Sequence, residues 1–211
     1  MLIIPGIDCF DEQTATDHIN AAAGFSEWIH IDIADGKFTP IKTWGTPQEF
    51  SIFSSQFSKI SFEIHLMAND PEKVVEDWLK AGAKRIIVHL EALKDPGLVA
   101  ELCKKYGAES MISILPTTPI GKILPYVKYF DYVQLLTVSP GLPGQKFGGD
   151  TVNRINFLKE NVPGVRIEID GGINPETARL VKDAGAEIAI STSYIFNSSN
   201  PRAAFDELNK S

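Results

Sequence analysis

Cysteine, methionine and tryptophan are scarce in this 211-residue chain, which contains two, three and three of them respectively. The two cysteines, Cys9 and Cys103, can form neither a disulfide framework nor a Cys-x-x-Cys metal site. Such sparing use of cysteine is typical of a protein in a reducing compartment. The N-terminal segment lacks a basic stretch and reaches Pro5 after a short apolar run, so we expect neither a signal peptide nor a transmembrane anchor. These absences predict a cytoplasmic protein.

Positive charge is also in short supply. The chain has 20 Lys and Arg residues against 27 Asp and Glu residues, for a net charge of −7, and no basic run exceeds two residues. This balance argues against a nucleic acid or an anionic membrane as partner. A small anionic substrate remains compatible with it, because one local phosphate site can overcome a weak overall field.

Hydrophobic residues at 44% and charged residues at 22% are typical of a globular chain with a large core. Strand patterns and helix patterns alternate along it. The strands are predicted at residues 2–7, 28–33, 60–67, 85–89, 109–115, 132–138, 165–170 and 187–191. The helices are predicted at residues 12–23, 47–57, 71–81, 96–106, 120–127, 151–161, 175–184 and 201–209.

Eight such units predict an α/β fold of the (β/α)8 TIM-barrel type, with residues 1–211 in a single domain. A doubly wound sheet is disfavoured, because no Gly-x-Gly-x-x-Gly sequence follows the first strand. Four helices are expected to begin at an Asp or Asn cap followed by proline. These caps are Asp70, Asp95, Asn174 and Asn200.

Histidines and carboxylates collect near the carboxyl ends of the predicted strands, which is where such barrels carry their active sites. His30 and Asp32 share one face of the second strand, while His65 lies near the end of the third strand and Asp170 ends the seventh. Two imidazoles and two carboxylates predict a site for a divalent metal such as Zn, Mn or Fe(II). A role as hydrogen-bonded core residues is the alternative for each group taken singly.

Two further features lie beside this cluster. His89 and Glu91 follow the fourth strand, where they could orient the ligands or be merely structural. Asp35 stands before Gly36 and is most simply a turn cap.

Small residues fill the loops after the last three strands. Backbone N–H groups in such loops commonly hold phosphate in a barrel, so we expect a phosphate site there. The candidates are Gly141, Gly144, Gln145, Gly171, Gly172, Thr192 and Ser193.

Several segments, in this order, resemble the ribulose-phosphate 3-epimerase family, and the likeness runs from Ile4 to Phe196. They are Trp28 to Pro40 (WIHIDIADGKFTP), His65 to Met67, Val88 to Ala92, Ser139 to Gln145 (SPGLPGQ) and Glu168 to Gly172 (EIDGG). The resemblance implies that His30, Asp32, His65 and Asp170 bind a divalent metal, and that Asp32 and Asp170 are the two catalytic bases. It also implies substrate contacts at Gly6 and Met67, and a homo-oligomer.

The implied reaction converts D-ribulose 5-phosphate to D-xylulose 5-phosphate by two-base proton transfer through an enediolate. The chain departs from the family pattern at several positions, which we expect to enlarge and repolarise the pocket floor. They are Gly6 for serine, Asp8 for leucine, Ala34 and Leu136 for methionine, Ile41 for asparagine, and Thr192 for glycine.

Two alternatives to this substrate remain open, and both follow from the departures. One is 3-epimerisation of a ketohexose 6-phosphate such as allulose 6-phosphate, and the other is a non-catalytic sugar-phosphate-binding protein. A related decarboxylase or aldolase is disfavoured, because Asp32-Ile-Ala-Asp35 lacks the lysine of the Asp-x-Lys-x-x-Asp pattern.

Overall fold

The computed structural model describes residues 1–140 and 147–211. Eight parallel strands follow one another in sequence order around a closed barrel, and β8 pairs with β1. The strands are β1 (Leu2–Ile7), β2 (Trp28–Ala34), β3 (Ser61–Met67), β4 (Arg85–His89), β5 (Glu109–Ile114), β6 (Tyr132–Leu136), β7 (Arg166–Asp170) and β8 (Ile188–Ser191). The predicted (β/α)8 TIM barrel is confirmed.

Helices cover the outside of the barrel. They are α1 (Glu12–Ala23), α2 (Pro47–Gln56), α3 (Val75–Lys80), α4 (Pro96–Tyr106), α5 (Thr151–Asn161), α6 (Pro175–Asp183), α7 (Ser193–Phe196) and α8 (Pro201–Asn209). Large apolar clusters fill the space between helices and strands. None of the helices in the described part of the chain is long and apolar enough to cross a membrane.

Three of the four predicted caps form. Asp95, Asn174 and Asn200 each accept a backbone N–H of the first turn through the side chain. Asp70 does not cap a helix, because it adopts a φ of 52° and accepts a hydrogen bond from Lys73 Nζ at 2.9 Å instead. The predicted helix at 71–81 accordingly starts with a short 3₁₀ turn before α3.

The predicted helix at 120–127 is wrong. The chain forms two 3₁₀ turns there, Ile120–Ile123 and Val127–Tyr129. Pro125 lies between them, and its ring and missing N–H are incompatible with a continuous α-helix. The short helix α7 was not expected from the sequence.

The barrel interior is partly apolar and partly polar. Ile4, Ile87, Met111, Ile188 and Ile190 form a buried cluster. A buried polar network shares the interior with this cluster, and its members come from strands β2, β3, β4, β6 and β7. These members are His30, Glu63, Arg85, Gln134 and Glu168.

Candidate active site

Four side chains predicted as metal ligands meet inside the barrel. One ligand atom from each of His30, Asp32, His65 and Asp170 lies within 4.8 Å of the others. His65 Nδ1 is 2.7 Å from Asp32 Oδ1 and 3.7 Å from Asp170 Oδ2, while His30 Nε2 is 3.2 Å from the same Asp32 oxygen. The strand register explains the meeting, because Asp32 of β2 stands opposite His65 of β3.

A buried carboxylate fixes the orientation of the His30 ring. His30 Nδ1 lies 2.7 Å from Glu63 Oε1, and Arg85 forms an ion pair with the other Glu63 oxygen. With Arg85 keeping Glu63 ionised, His30 Nδ1–H donates to the carboxylate, and this bond turns Nε2 toward the cluster. Burial raises the carboxyl pKa of Glu63, but the bond from His30 and the Arg85 charge outweigh it and lower the pKa.

A second buried histidine stands behind His65. His65 Nε2 lies 2.8 Å from His89 Nε2, and His89 Nδ1 is 3.5 Å from Glu91 Oε2. Burial lowers the pKa of His89 to about 4, so its imidazole is neutral at neutral pH. A neutral His89 accepts a hydrogen bond from His65 Nε2–H, which turns His65 Nδ1 toward Asp32 and Asp170. His89 could orient a candidate metal ligand or be merely structural, and its contact with His65 supports the first role.

The two aspartates of the cluster have different proton affinities. Burial raises the pKa of Asp170 to about 6, and the negative charge of Asp32 adds to the rise. Burial would also raise the pKa of Asp32, but the His30 charge and the hydrogen bonds from His30 and His65 hold it well below its usual range. A pair of carboxyl groups whose pKa values are pushed apart is typical of acid–base catalysis.

The donor set fits a divalent metal. Both imidazoles have their outer nitrogens engaged, and both carboxylates converge on the inner nitrogens. Nitrogen and oxygen donors without thiolate suit Zn, Mn or Fe(II). The cluster of His30, Asp32, His65 and Asp170 could therefore hold such an ion.

The predicted phosphate loops are partly described. Gly171 and Gly172 follow β7 with φ values of 113° and 65°, and a Cβ at Gly172 would lie 2.7 Å from the Phe147 backbone nitrogen. Only glycine fits there, and its absence of a side chain lets the loop after β7 pack against the chain that follows β6. Thr192 and Ser193 lie at the end of β8, while Gly141, Gly144 and Gln145 lie outside the described residues.

The departure at Gly6 does not open a cavity. A Cβ at Gly6 would lie 2.3 Å from Thr192 Oγ1 and 2.9 Å from Ile190 Cγ2, so the Thr192 side chain occupies that space. The expectation of a larger floor at this position is therefore wrong. The two departures, serine to Gly6 and glycine to Thr192, compensate each other across the β1–β8 pair, and a hydroxyl is kept.

Other predicted residues lie near the cluster. Met67 is buried at the end of β3, and Ala34 and Leu136 are buried at the ends of β2 and β6. Asp35 accepts the backbone N–H groups of Lys37 and Phe38 at 2.7 and 2.8 Å, as a turn cap does.

Some contacts were missed by sequence reasoning. Arg85 lies between the rings of Trp28 and Tyr132, 4.3 Å from each centroid, and nothing in the sequence marks it as a partner of Glu63. Thr43 Oγ1 donates to the Asp32 carbonyl oxygen at 2.9 Å and accepts the Ala34 N–H at 2.9 Å. Glu63 carried a signal, since it shares a strand face with His65.

Asp8 is an additional carboxyl group beside the cluster. Its Oδ1 atom is buried and has no hydrogen-bond partner. Burial raises the pKa of Asp8 from its ordinary value of 3.8 to about 7, with further increases from the charges of Asp32 and Asp170 and a decrease from His30. The Asp8 carboxyl is therefore close enough to Asp32, Asp170 and His30 to be influenced by their charges.

Comparison with known proteins gives consistent matches. The sequence profile of the ribulose-phosphate 3 epimerase family matches residues 2–196. The ribulose-phosphate 3-epimerase of Candida glabrata is 34% identical over 197 residues, covering 87% of this chain and 79% of the relative. That of Mycobacterium leprae is 30% identical over 213 residues, covering 99% of this chain and 94% of the relative.

Solved structures show the same fold at low identity. The 3-hexulose-6-phosphate synthase from Salmonella typhimurium superimposes with a TM-score of 0.78 at 13% identity, covering all of this chain and 97% of that one. The 3-keto-L-gulonate-6-phosphate decarboxylase from Vibrio cholerae gives a TM-score of 0.75 at 15% identity, covering 99% and 95%. At these identities the likeness concerns the barrel alone.

Proposed function

The chain belongs to the ribulose-phosphate 3-epimerase family, and we propose that it inverts C3 of D-ribulose 5-phosphate to give D-xylulose 5-phosphate. The observation that carries the proposal is the convergence of Asp32 and Asp170 from β2 and β7 on one cluster with two histidines. Family membership makes the chain an epimerase, and the substrate and the residue roles are our proposal. We also propose that residues 1–211 form one barrel domain.

Inversion requires removal of a proton from one face of C3 and its return to the other. Asp32 and Asp170 lie on strands separated by β8 and β1, so their carboxylates approach a bound substrate from different directions. Asp32 is held ionised and is therefore ready to accept a proton, while the raised pKa of Asp170 shows that its carboxylate binds a proton more readily than an ordinary aspartate does. The roles exchange in the reverse reaction.

A C–H bond beside a carbonyl is too weak an acid for an unaided carboxylate. A divalent cation such as Zn, Mn or Fe(II), held by His30, Asp32, His65 and Asp170, would supply Lewis acidity that stabilises negative charge on the substrate oxygens. Glu63 and His89 orient the two imidazoles from behind, so the cluster is arranged before substrate arrives.

The phosphate group would bind backbone N–H groups of the loops after β7 and β8, at Gly171, Gly172, Thr192 and Ser193. Gly141, Gly144 and Gln145 are proposed to complete that site. Anchoring the phosphate fixes C3 between the two aspartates, which contributes to catalysis by positioning. Met67 would contact the substrate from the end of β3.

A pentulose phosphate is favoured over allulose 6-phosphate on one observation. Thr192 fills the space beside Gly6, so the pocket gains no room there for a longer sugar. We therefore expect kcat/KM to be higher for D-ribulose 5-phosphate than for D-allulose 6-phosphate.

The residue roles are tested by Asp32→Asn and Asp170→Asn. Each change removes one of the two bases, so we expect epimerisation to fall by at least about 100-fold, measured as xylulose 5-phosphate formed with metal supplied. Asp183→Asn, on the exposed end of α6, is the matched control and should leave the rate unchanged. Near-normal turnover in either active-site variant would refute the two-base assignment.

Two further properties belong to the proposal. Both cysteines are free and buried, which agrees with a cytoplasmic protein. The family resemblance implies a homo-oligomer, and light scattering of the purified protein measures its mass.

A further inference from the structure

Asp8 lies on the interior face of the barrel, just beyond the end of β1. Ile4 belongs to the interior apolar cluster, and a Cβ at Gly6 would contact Ile190 of the same cluster. Because side chains alternate along a strand, Asp8 falls on the face that carries Ile4 and Gly6. It therefore points toward the barrel axis at the end where the site lies.

The strand register places Asp8 beside Asp32. Gly6 pairs with His30 and Ile7 pairs with Ile31, so the next residue along β1 stands level with Asp32 of β2. The buried Asp8 Oδ1 has no hydrogen-bond partner among the described residues. A buried polar atom left unpaired destabilises the folded state, so its retention points to a partner that arrives from outside the chain.

The partner is more consistent with substrate than with metal. The compact group of possible metal ligands contains His30, Asp32, His65 and Asp170, and Asp8 is not part of it. A carboxylate outside the ligand set but inside the pocket is suited to accept a hydrogen bond from a sugar hydroxyl.

The position on the barrel identifies which hydroxyl. Strand β1 lies between β8, whose Thr192 and Ser193 we assign to the phosphate, and β2, whose Asp32 we assign to C3. A pentulose 5-phosphate that extends between these two points passes β1 with C4 and C5, and of these two carbons only C4 carries a hydroxyl.

We propose that Asp8 accepts a hydrogen bond from the C4 hydroxyl of the ketose phosphate and makes the enzyme selective for substrates that carry it. This inference rests on the proposed function, because it takes the ends of the substrate from that assignment. It explains why a carboxylate stands where the family resemblance expects leucine.

The test compares wild type, Asp8→Leu and Asp8→Asn on three compounds: D-ribulose 5-phosphate, its 4-deoxy analogue and its 1-deoxy analogue. The readout is kcat/KM for exchange of the C3 proton in D2O. We expect wild type to lose about 10- to 100-fold on the 4-deoxy analogue, since a hydrogen bond to a charged group is lost. Asp8→Leu should lose the same factor on ribulose 5-phosphate and almost none on the 4-deoxy analogue, with Asp8→Asn intermediate.

Two additional readouts separate other roles of Asp8. Metal affinity of Asp8→Leu should equal that of wild type, and a loss of tenfold or more would make Asp8 a metal ligand and overturn the proposal. The chelated variant should unfold at the same or a higher temperature than chelated wild type, because a buried unpaired carboxylate has been removed. A clear decrease would indicate a structural role instead.

The outcomes distinguish this inference from the proposed function. If wild type exchanges the C3 proton of ribulose 5-phosphate but Asp8→Leu keeps the preference for the C4 hydroxyl, only the inference fails. If the preference lost in Asp8→Leu is for the C1 hydroxyl, the assignment to C4 fails. If wild type catalyses no exchange, the proposed function fails and the inference with it.

Discussion

Glu63 links the barrel interior to the candidate metal ligands through one hydrogen bond. It contacts His30 Nδ1 at 2.7 Å and is itself paired with Arg85, which also forms ion pairs with Glu109 and Glu168. A carboxylate behind a ligating imidazole fixes both its tautomer and its orientation. Substitution of Glu63 therefore measures how strongly the four candidate metal ligands depend on this contact.

Glu63→Gln should weaken metal binding by about 10- to 100-fold, because the amide no longer orients His30 as a carboxylate does. A chelator competition titration measures the dissociation constant. Glu109→Gln is the matched control, since it changes a neighbour of Arg85 that does not contact His30. Equal affinities of the two variants would show that the Glu63–His30 contact does not support the site.

We expect Asp8 to make the free energy of unfolding of the chelated protein depend on pH. Its pKa rises from 3.8 to about 7 on folding, so the folded state retains a proton that the unfolded chain releases. That contribution to stability is fully present below pH 3.8 and is lost as pH rises through about 7. Asp8→Asn does not titrate here, so its stability relative to wild type should increase between pH 4 and 7 and then level off.

Urea unfolding of both proteins at a series of pH values measures this difference. The comparison cancels the titrating groups that lie far from Asp8, so the difference reports Asp8 together with its electrostatic coupling to Asp32, Asp170 and His30. A difference that stays flat or decreases over the same interval would mean that the folded protein does not hold the Asp8 proton.

At the scale of elements, β1 and β8 fit together through a residue without a side chain. Gly6 leaves the space into which Thr192 projects its hydroxyl, and a Cβ there would lie only 2.3 Å from that oxygen. Gly6→Ala should therefore destabilise the protein by about 1–3 kcal/mol through overpacking. In a Thr192→Ala background the same change should cost less.

A double-mutant cycle in urea tests this pairing. We expect a coupling free energy of at least about 1 kcal/mol between the two positions, because they are in direct contact. Strictly additive effects would mean that the two departures from the family pattern are independent.

Hydrophobic periodicity and helix caps predicted most of the helices and strands. The bounds of β1, β4, α1, α4, α5 and α8 agree with the predictions. The helix predicted at 120–127 does not form because Pro125 interrupts it. Asp70 does not cap a helix because its carboxylate binds Lys73 and Lys94.

Some parts of the candidate site could be predicted from the sequence and others could not. Alternation along β2 and β3 placed His30, Asp32 and His65 on the interior face, and closure of the barrel brought Asp170 to them. The filling of Gly6 by Thr192 was not predictable, because it joins residues at opposite ends of the chain. The same holds for Arg85, which meets Glu63 only through strand register.

In the molecule as a whole, closure of the sheet into a barrel brings the candidate catalytic residues together. Asp32 and Asp170 are 138 positions apart in the numbering (170 minus 32), and only a closed barrel sets β2 and β7 around one mouth. An overall charge of −7 works against binding of a sugar phosphate, so local N–H groups and a bound cation must provide the attraction. Catalysis should accordingly be lost when the cation is removed.

Proton NMR of D-ribulose 5-phosphate in D2O tests directly whether the protein is a metal-dependent C3 epimerase. With Mn, Zn or Fe(II) supplied to the purified protein, the account predicts loss of the C3 proton signal together with the appearance of xylulose 5-phosphate. Chelation should stop both changes, and returning the metal should restore them. Retention of the C3 proton with every metal, or exchange that continues unchanged after chelation, would contradict the account.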